Sequence, residues 1–238
     1  MDSAPLLLLF IVWANIYQGQ DQLGGYTLAG LVQYYLLSLI ISGVSSTYFE
    51  DWRVREIREG KIDYFLIRPL SYLMEILCRD IGGKLFYLVN ASLFFIILTS
   101  GLFLSFAFSL TPPGPLQILQ TLSLIFVAYA IEFLIALIIV ISGFWIEGAD
   151  GLEHFKWIAV ATLSGSMIPI SLMPSWLQQI VQALPFKYMY AYPIGIWQGT
   201  VTLHLSDYVY VGVFLGVLWV AMRLLWTQAL KRYASSGG

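Results

Sequence analysis

Long apolar runs, rarely interrupted by charge, organise this chain. Six can be read: Pro5 to Tyr17, Tyr26 to Phe49, Leu85 to Leu110, Leu116 to Ile146, Trp157 to Leu172 and Tyr208 to Trp226. They are continuous rather than striped with a period of 2 or 3.6, the pattern that a half-buried strand or a surface helix leaves. A run of about 18 or more apolar residues matches the ~30 Å hydrocarbon core of a bilayer at 1.5 Å per residue. The pattern therefore predicts an all-α integral membrane protein with six transmembrane helices, whose solvent is lipid. The first run is short, since roughly 15 helical residues cover only about 22 Å. Either that span begins upstream of this sequence or it enters the membrane obliquely. The fourth run is long enough to need tilt or to project beyond the bilayer. Between the third and fourth, Thr111-Pro112-Pro113-Gly114-Pro115 cannot continue a helix and predicts a tight turn.

Composition agrees with a lipid solvent. Hydrophobic residues make up 59% of the chain and charged residues 11%, against about 25% charged in a soluble domain. Charge then orients the spans. With the loop between the second and third spans on the cytoplasmic side, Arg53, Arg55, Arg58, Lys61, Arg68, Arg79, Lys84, Lys156, Arg223, Lys231 and Arg232 share that side and only Lys187 faces outward. The positive-inside rule thus sets both termini inside. Cys78 is the single cysteine, so no intrachain disulfide forms. Asp2 stands where a signal peptide would carry a basic residue. Residues 1–234 read as one transmembrane domain, and 235–238 as a tail or linker scar.

Catalytic chemistry finds little support. Gly83-Lys84 has Cys78 where a phosphate-binding loop needs its first glycine and Leu85 where it needs a hydroxyl. His154 and His204 fall in different loops on opposite sides, so they cannot share a metal, and no acidic cluster suits Mg²⁺.

Three features carry more. The cytoplasmic stretch Phe49 to Pro69 reads FEDWRVREIREGKIDYFLIRP. Asp51–Arg55 and Arg55–Glu59 can pair at i, i+4 on a short helix that Gly60 ends. Beyond it, Ile62, Phe65 and Leu66 form an apolar face expected along the membrane interface, and Pro69 stops it. The stretch is either a solvated loop that fixes topology or a docking element for a soluble partner. On the outer side, Pro169, Pro174, Pro185 and Pro193 bracket an amphipathic helix from Ser175, its N-cap, to Leu184, followed by PFKYMYAYPIGIWQG. Broken backbone at membrane depth must be buried in protein or line a cavity, which predicts a re-entrant hairpin. Tyr188, Tyr190, Tyr192 and Trp197 read as interfacial anchors or as the lining of an exit path. Finally, Glu132 lies inside the fourth span. It is expected to be protonated or paired within the bundle, with no intramembrane Lys or Arg to meet it, and it is either functional or a neutral hydrogen-bonded acid.

Three of these segments, REIREGKIDYFLIRPLS, GFWIEGADGL and PFKYMYAYPIGIWQG, resemble, in order and spacing, the permease subunits of ABC transporters of the ABC-2 type. The resemblance covers the chain from about Phe49 to its end. It implies a permease in the bacterial inner (cytoplasmic) membrane, an exporter that pairs with a second, identical or different permease and with cytoplasmic ABC ATPase subunits. ATP and Mg would bind to those partners and no cofactor to this chain. No nucleic acid is implied. The coupling helix would be Trp52 to Lys61, including Arg53, Arg55, Glu56, Arg58, Glu59 and Gly60. A second contact would lie at Gly148 to His154. Outer re-entrant helices from Pro174 to Gly199 would form the gate with Trp176, Pro185, Phe186, Tyr188, Tyr190, Tyr192, Pro193 and Trp197. Relatives usually open with an amphipathic cytoplasmic helix, from which this chain departs. The rival expectation is an ATP-independent channel or scaffold, with Glu132 as a pore or proton-relay residue.

Overall fold

The computed structural model describes residues 12, 13, 15–19, 21–66, 71–99 and 113–233, with backbone only at 66, 90–99, 150 and 232. Most of the first apolar run, the end of the third, Thr111 and Pro112 of the turn, Arg68, Pro69 and the tail lie outside the described residues. Among those described there is no β-strand. The helices are α1 (Leu28–Ser45), α2 (Glu50–Arg58), α3 (Asp63–Leu66), α4 (Tyr72–Thr99), α5 (Pro115–Ser142), α6 (Leu152–Leu163), α7 (Ser175–Ala183), α8 (Ala191–Trp197) and α9 (Leu205–Arg232). Short 3₁₀ turns lie at Ala149–Gly151, Ile170–Leu172 and Pro185–Tyr188.

Local chemistry sets most boundaries. Thr27 caps α1 by accepting from the Gly30 amide, a standard N-terminal solution for orphan N–H groups. Pro115 opens α5, where its missing N–H costs nothing. There Gln117 Oε1 accepts from the Gly114 amide at 2.7 Å. Among the described residues, three stretches are long and apolar enough to cross a membrane: Leu28–Arg58, Pro115–Ser142 and Leu205–Lys231. The first includes a break at 46–49 between α1 and α2, so its crossing part is α1, about 27 Å long.

α5 is the central element. It packs on α1, α2, α8 and α9, and Ala128, Ile131, Ala136, Val140 and Ile141 along it are fully buried. α4 begins at Tyr72, well before the third apolar run, so the charged residues Glu75 to Lys84 belong to the same helix as the apolar part. It lies antiparallel to α1: Glu75 meets Arg53, Lys84 donates to the Ser46 carbonyl at 2.6 Å, and Tyr87 packs beside Gly43. One end of the bundle gathers α2, the C-termini of α5 and α9 and the start of α4, with Tyr72 stacked on Trp226. The other end gathers the N-termini of α1, α5 and α9 around residues 164–204.

Two expectations about elements are corrected. The fifth run does not yield a helix from Trp157 to Leu172; α6 starts at Leu152 and stops at Leu163, about 18 Å. Gly165 at φ +83° turns the chain there, in a region that only glycine occupies freely. Ser175 is not an N-cap; it is the first residue of α7, and Pro174 precedes it without a capping side chain.

Candidate functional site

The basic end of the bundle carries a two-faced helix. α2 has Glu50 and Asp51 in its first turn and Arg55 and Arg58 in its last, the arrangement that complements the helix dipole. Asp51 pairs with Arg55 at 2.6 Å. Gly60, at φ +72°, turns the chain just beyond the Glu59 cap. Arg55, Arg58, Glu59 and Lys61 are exposed. Glu59 pairs with Lys61 at 2.5 Å; that contact holds the Glu59 carboxyl below its ordinary value and raises the Lys61 ammonium.

The opposite face is locked into the bundle. Val54 is fully buried against Gly143, where an added Cβ would lie 3.2 Å from Val54 Cγ1, and Ile57 is buried with it. Arg53, which the sequence groups with the docking charges, is completely buried. It donates through Nη1 to Glu56 at 2.8 Å and through Nη2 to Glu75 at 2.5 Å, and its guanidinium lies 4.1 Å from the Trp52 ring centroid. Such a planar fork is built for two carboxylates and a ring face at once. Arg53 therefore holds α2 to α4. Ala149–Gly151, within the expected second contact, packs directly against α2. Ile62 is also turned inward, fully buried, with Phe65 packed on Tyr72. Ile62 and Phe65 thus pack into a protein core instead of lying on the membrane interface, because the start of α4 returns over them; the Leu66 side chain lies outside those described.

Behind α2 lies a buried ion cluster. Lys156 of α6 donates to Glu50 Oε1, to Thr47 Oγ1 at 2.9 Å and to the Thr47 carbonyl at 3.1 Å. Glu132 Oε2 lies 3.1 Å from the same ammonium. Sequence reading gave Glu132 no basic partner; the structure supplies Lys156. The cause is simple: Lys156 stands just before an apolar run and counts in the sequence among the cytoplasmic basic residues, whereas α6 carries it inward. Glu50 was missed for the same reason, as one more charge in an alternating stretch. Only the incongruity of a lone lysine against WIAVATL hinted at burial.

At the other end, residues 164–204 fold back into the bundle. Tyr34 Oη donates to the Gly165 carbonyl at 2.7 Å, and the Ala191 amide donates to the Ser164 carbonyl at 3.1 Å. The α8 helix, with Pro193 buried, packs on α5 and α1. Gln198 Nε2 donates to the Gly30 carbonyl at 2.9 Å. Tyr188 and Tyr190 are buried, so they are not interfacial anchors. Tyr188 donates to Asp207 at 2.6 Å, and Tyr190 hydroxyl bonds with Ser46 hydroxyl at 3.3 Å. Pro185 is buried, Phe186, Tyr192 and Trp197 are half-buried, and Trp176 on α7 is exposed. Within this segment Tyr188 to Tyr190 and Pro193 to Ile196 are buried, whereas Pro174 to Trp176 are exposed.

A cavity of about 680 Å³ opens between α1 and α6, with Glu132, Glu153, Lys156 and Tyr190 in its wall. A family model described as ABC-2 family transporter protein matches residues 4–237, nearly the whole chain. No curated protein and no solved structure matches.

Proposed function

The chain belongs to the ABC-2 family transporter proteins, and on that premise we propose that it is the permease subunit of an ATP-driven exporter. It works as a dimer with a second permease and docks on separate cytoplasmic ATPase subunits, which hold ATP and Mg²⁺. The observation that carries this reading is the two-faced α2. Its exposed face presents Arg55, Arg58, Glu59 and Lys61, both signs of charge on a short rigid element, which suits electrostatic recognition of a soluble subunit. Its buried face is fixed to α4 through Arg53, to α5 through Val54 and to α6 through Glu50. A displacement imposed on α2 is therefore passed to the bundle.

Coupling needs more than motion. ATP can drive a cycle only if substrate binds differently to the two states of the permease. In this reading closure of the ATPases moves α2, and the segment 164–204 yields at the opposite end as the gate. This chain binds and releases; hydrolysis resides on the partners.

The test is affinity purification of the tagged chain from its native membranes, in parent form and as Arg55→Glu/Arg58→Glu. Both arginines are exposed, so the fold should change by no more than about 0.5 kcal/mol. A stoichiometric nucleotide-binding subunit with vanadate-sensitive ATPase activity should accompany the parent and be lost at least about tenfold from the variant. A well-folded parent that purifies with no ATPase would instead favour an ATP-independent channel or scaffold.

A further inference from the structure

The cavity between α1 and α6 has the volume of a site for a drug-sized molecule. Four aromatic side chains, Tyr35, Tyr48, Trp157 and Tyr190, line it. Its ionisable lining groups are Glu132, Glu153, His154 and Lys156. Of these, the single lysine is shared. An ammonium has three protons to donate, and four acceptor contacts surround that of Lys156: Glu50, Glu132 and Thr47 twice.

Glu132 shares that one ammonium with Glu50. Its side chain is only 4% exposed and its Oε2 is ion-paired to Lys156 Nζ at 3.1 Å, so two buried carboxylates meet a single cation and one negative charge stays uncompensated. Lys84, the other nearby cation, donates to the Ser46 carbonyl and meets Asp80. A buried carboxylate that must share its cation is only partly compensated, and this one belongs to a residue in the cavity wall. Half-buried Glu153 adds a second negative charge to the same wall. Negative charge beside aromatic faces is the combination that recognises organic cations.

We propose that this cavity binds an organic cation, an ammonium or similar ion with apolar substituents, with Glu132 as its counter-ion. As a statement about transported cargo this rests on the permease reading; as a statement about a binding site it does not. The substituents would meet the aromatic wall while the charge approaches Glu132 and Glu153.

The experiment uses the full chain in nanodiscs of phosphatidylglycerol, with empty discs subtracted, and a pair of probes of the same shape and opposite sign. Tetraphenylphosphonium should bind saturably and tetraphenylborate should not. Glu132→Gln should weaken phosphonium binding about tenfold or more, the loss of one charge-assisted contact. Glu153→Gln, at a half-exposed position, should weaken it by a smaller factor and provides a second reading should Glu132→Gln fail to insert. Adding phosphatidylethanolamine separates two sources of the same chemistry: competition identifies a lipid headgroup as the natural cation, and indifference identifies a soluble one. Equal binding of the two probes, or phosphonium affinity unchanged in both variants, overturns the proposal. Co-purification of the ATPase in the same preparations reports on the permease reading separately, so either can fail alone.

Discussion

Replacing Lys156 by methionine tests the buried cluster most directly. The substitution keeps an unbranched side chain of nearly the same length and removes its charge. Two carboxylates then remain in the interior without their cation: Glu50 is fully buried and Glu132 is 3% exposed. Breaking a buried ion pair from one side costs about 3–5 kcal/mol. For a chain of this size each kcal/mol moves the melting midpoint by about 2–4 °C, so Lys156→Met should melt about 10 °C below the parent. The hydrogen bonds also predict an asymmetry. Glu50 takes the closer contact with Lys156, whereas Glu132 meets it at 3.1 Å. Glu50→Gln should therefore cost about 2 kcal/mol and Glu132→Gln less than about 1 kcal/mol. The double variant Lys156→Met/Glu50→Gln should recover part of the loss, since one uncompensated charge disappears. Thermal unfolding in nanodiscs, followed by the fluorescence of the eight tryptophans, supplies all four values. A Lys156→Met protein that melts within about 1 °C of the parent would refute the reasoning. So would a Glu132→Gln variant as unstable as Glu50→Gln.

Two further substitutions probe the elements that hold the site. Arg53→Lys keeps the charge but cannot span Glu56, Glu75 and the Trp52 ring together; a loss of about 2 kcal/mol is expected by the same unfolding assay, and full stability would show that charge alone suffices. Gly165→Ala forces a left-handed φ of +83° on a residue with a Cβ, which would also stand 3.1 Å from Tyr34 Oη. It should cost about 1–3 kcal/mol and speed amide exchange at Ala191, whose N–H bonds to Ser164; unaltered exchange there would count against the turn as the anchor of this segment.

How much the sequence revealed depended on whether a feature was local. The apolar runs that became α1, α5 and α9 were readable because length and composition alone decide whether a helix suits a bilayer. Gly60 and Asp51–Arg55 were readable because caps and i, i+4 pairs lie within one turn. The burial of Arg53, Ile62 and Lys156 was not, since it depends on α4 and α6 arriving from distant parts of the chain. Alternating charges such as Glu50, Asp51, Arg53 and Arg55 look equivalent in sequence. Helical geometry separates them: Arg55 faces outward while Glu50 and Arg53 face the bundle. The cavity was invisible for the same reason, because its walls come from α1, α5, α6 and the segment leading into α8.

The hydrogen bonds of Lys156 also indicate where the bundle can give. Three of its contacts run to Thr47 and Glu50, tying α6 to the start of α2, and one runs to Glu132 on α5 at 3.1 Å. α2 meets α5 through apolar contact, Val54 against Gly143, and such contacts slide at less cost than charged hydrogen bonds break. A push on the exposed face of α2 would therefore carry α6 with it and shift both against α5. The separation that changes most is Lys156 to Glu132, now 3.1 Å. With the ammonium close, Glu132 is partly compensated and holds a foreign cation weakly; with the ammonium withdrawn, it needs one. On the two proposals together, the ATPase dock and the cavity act on the same carboxylate. That gives the difference in binding between two states that ATP-driven transport requires.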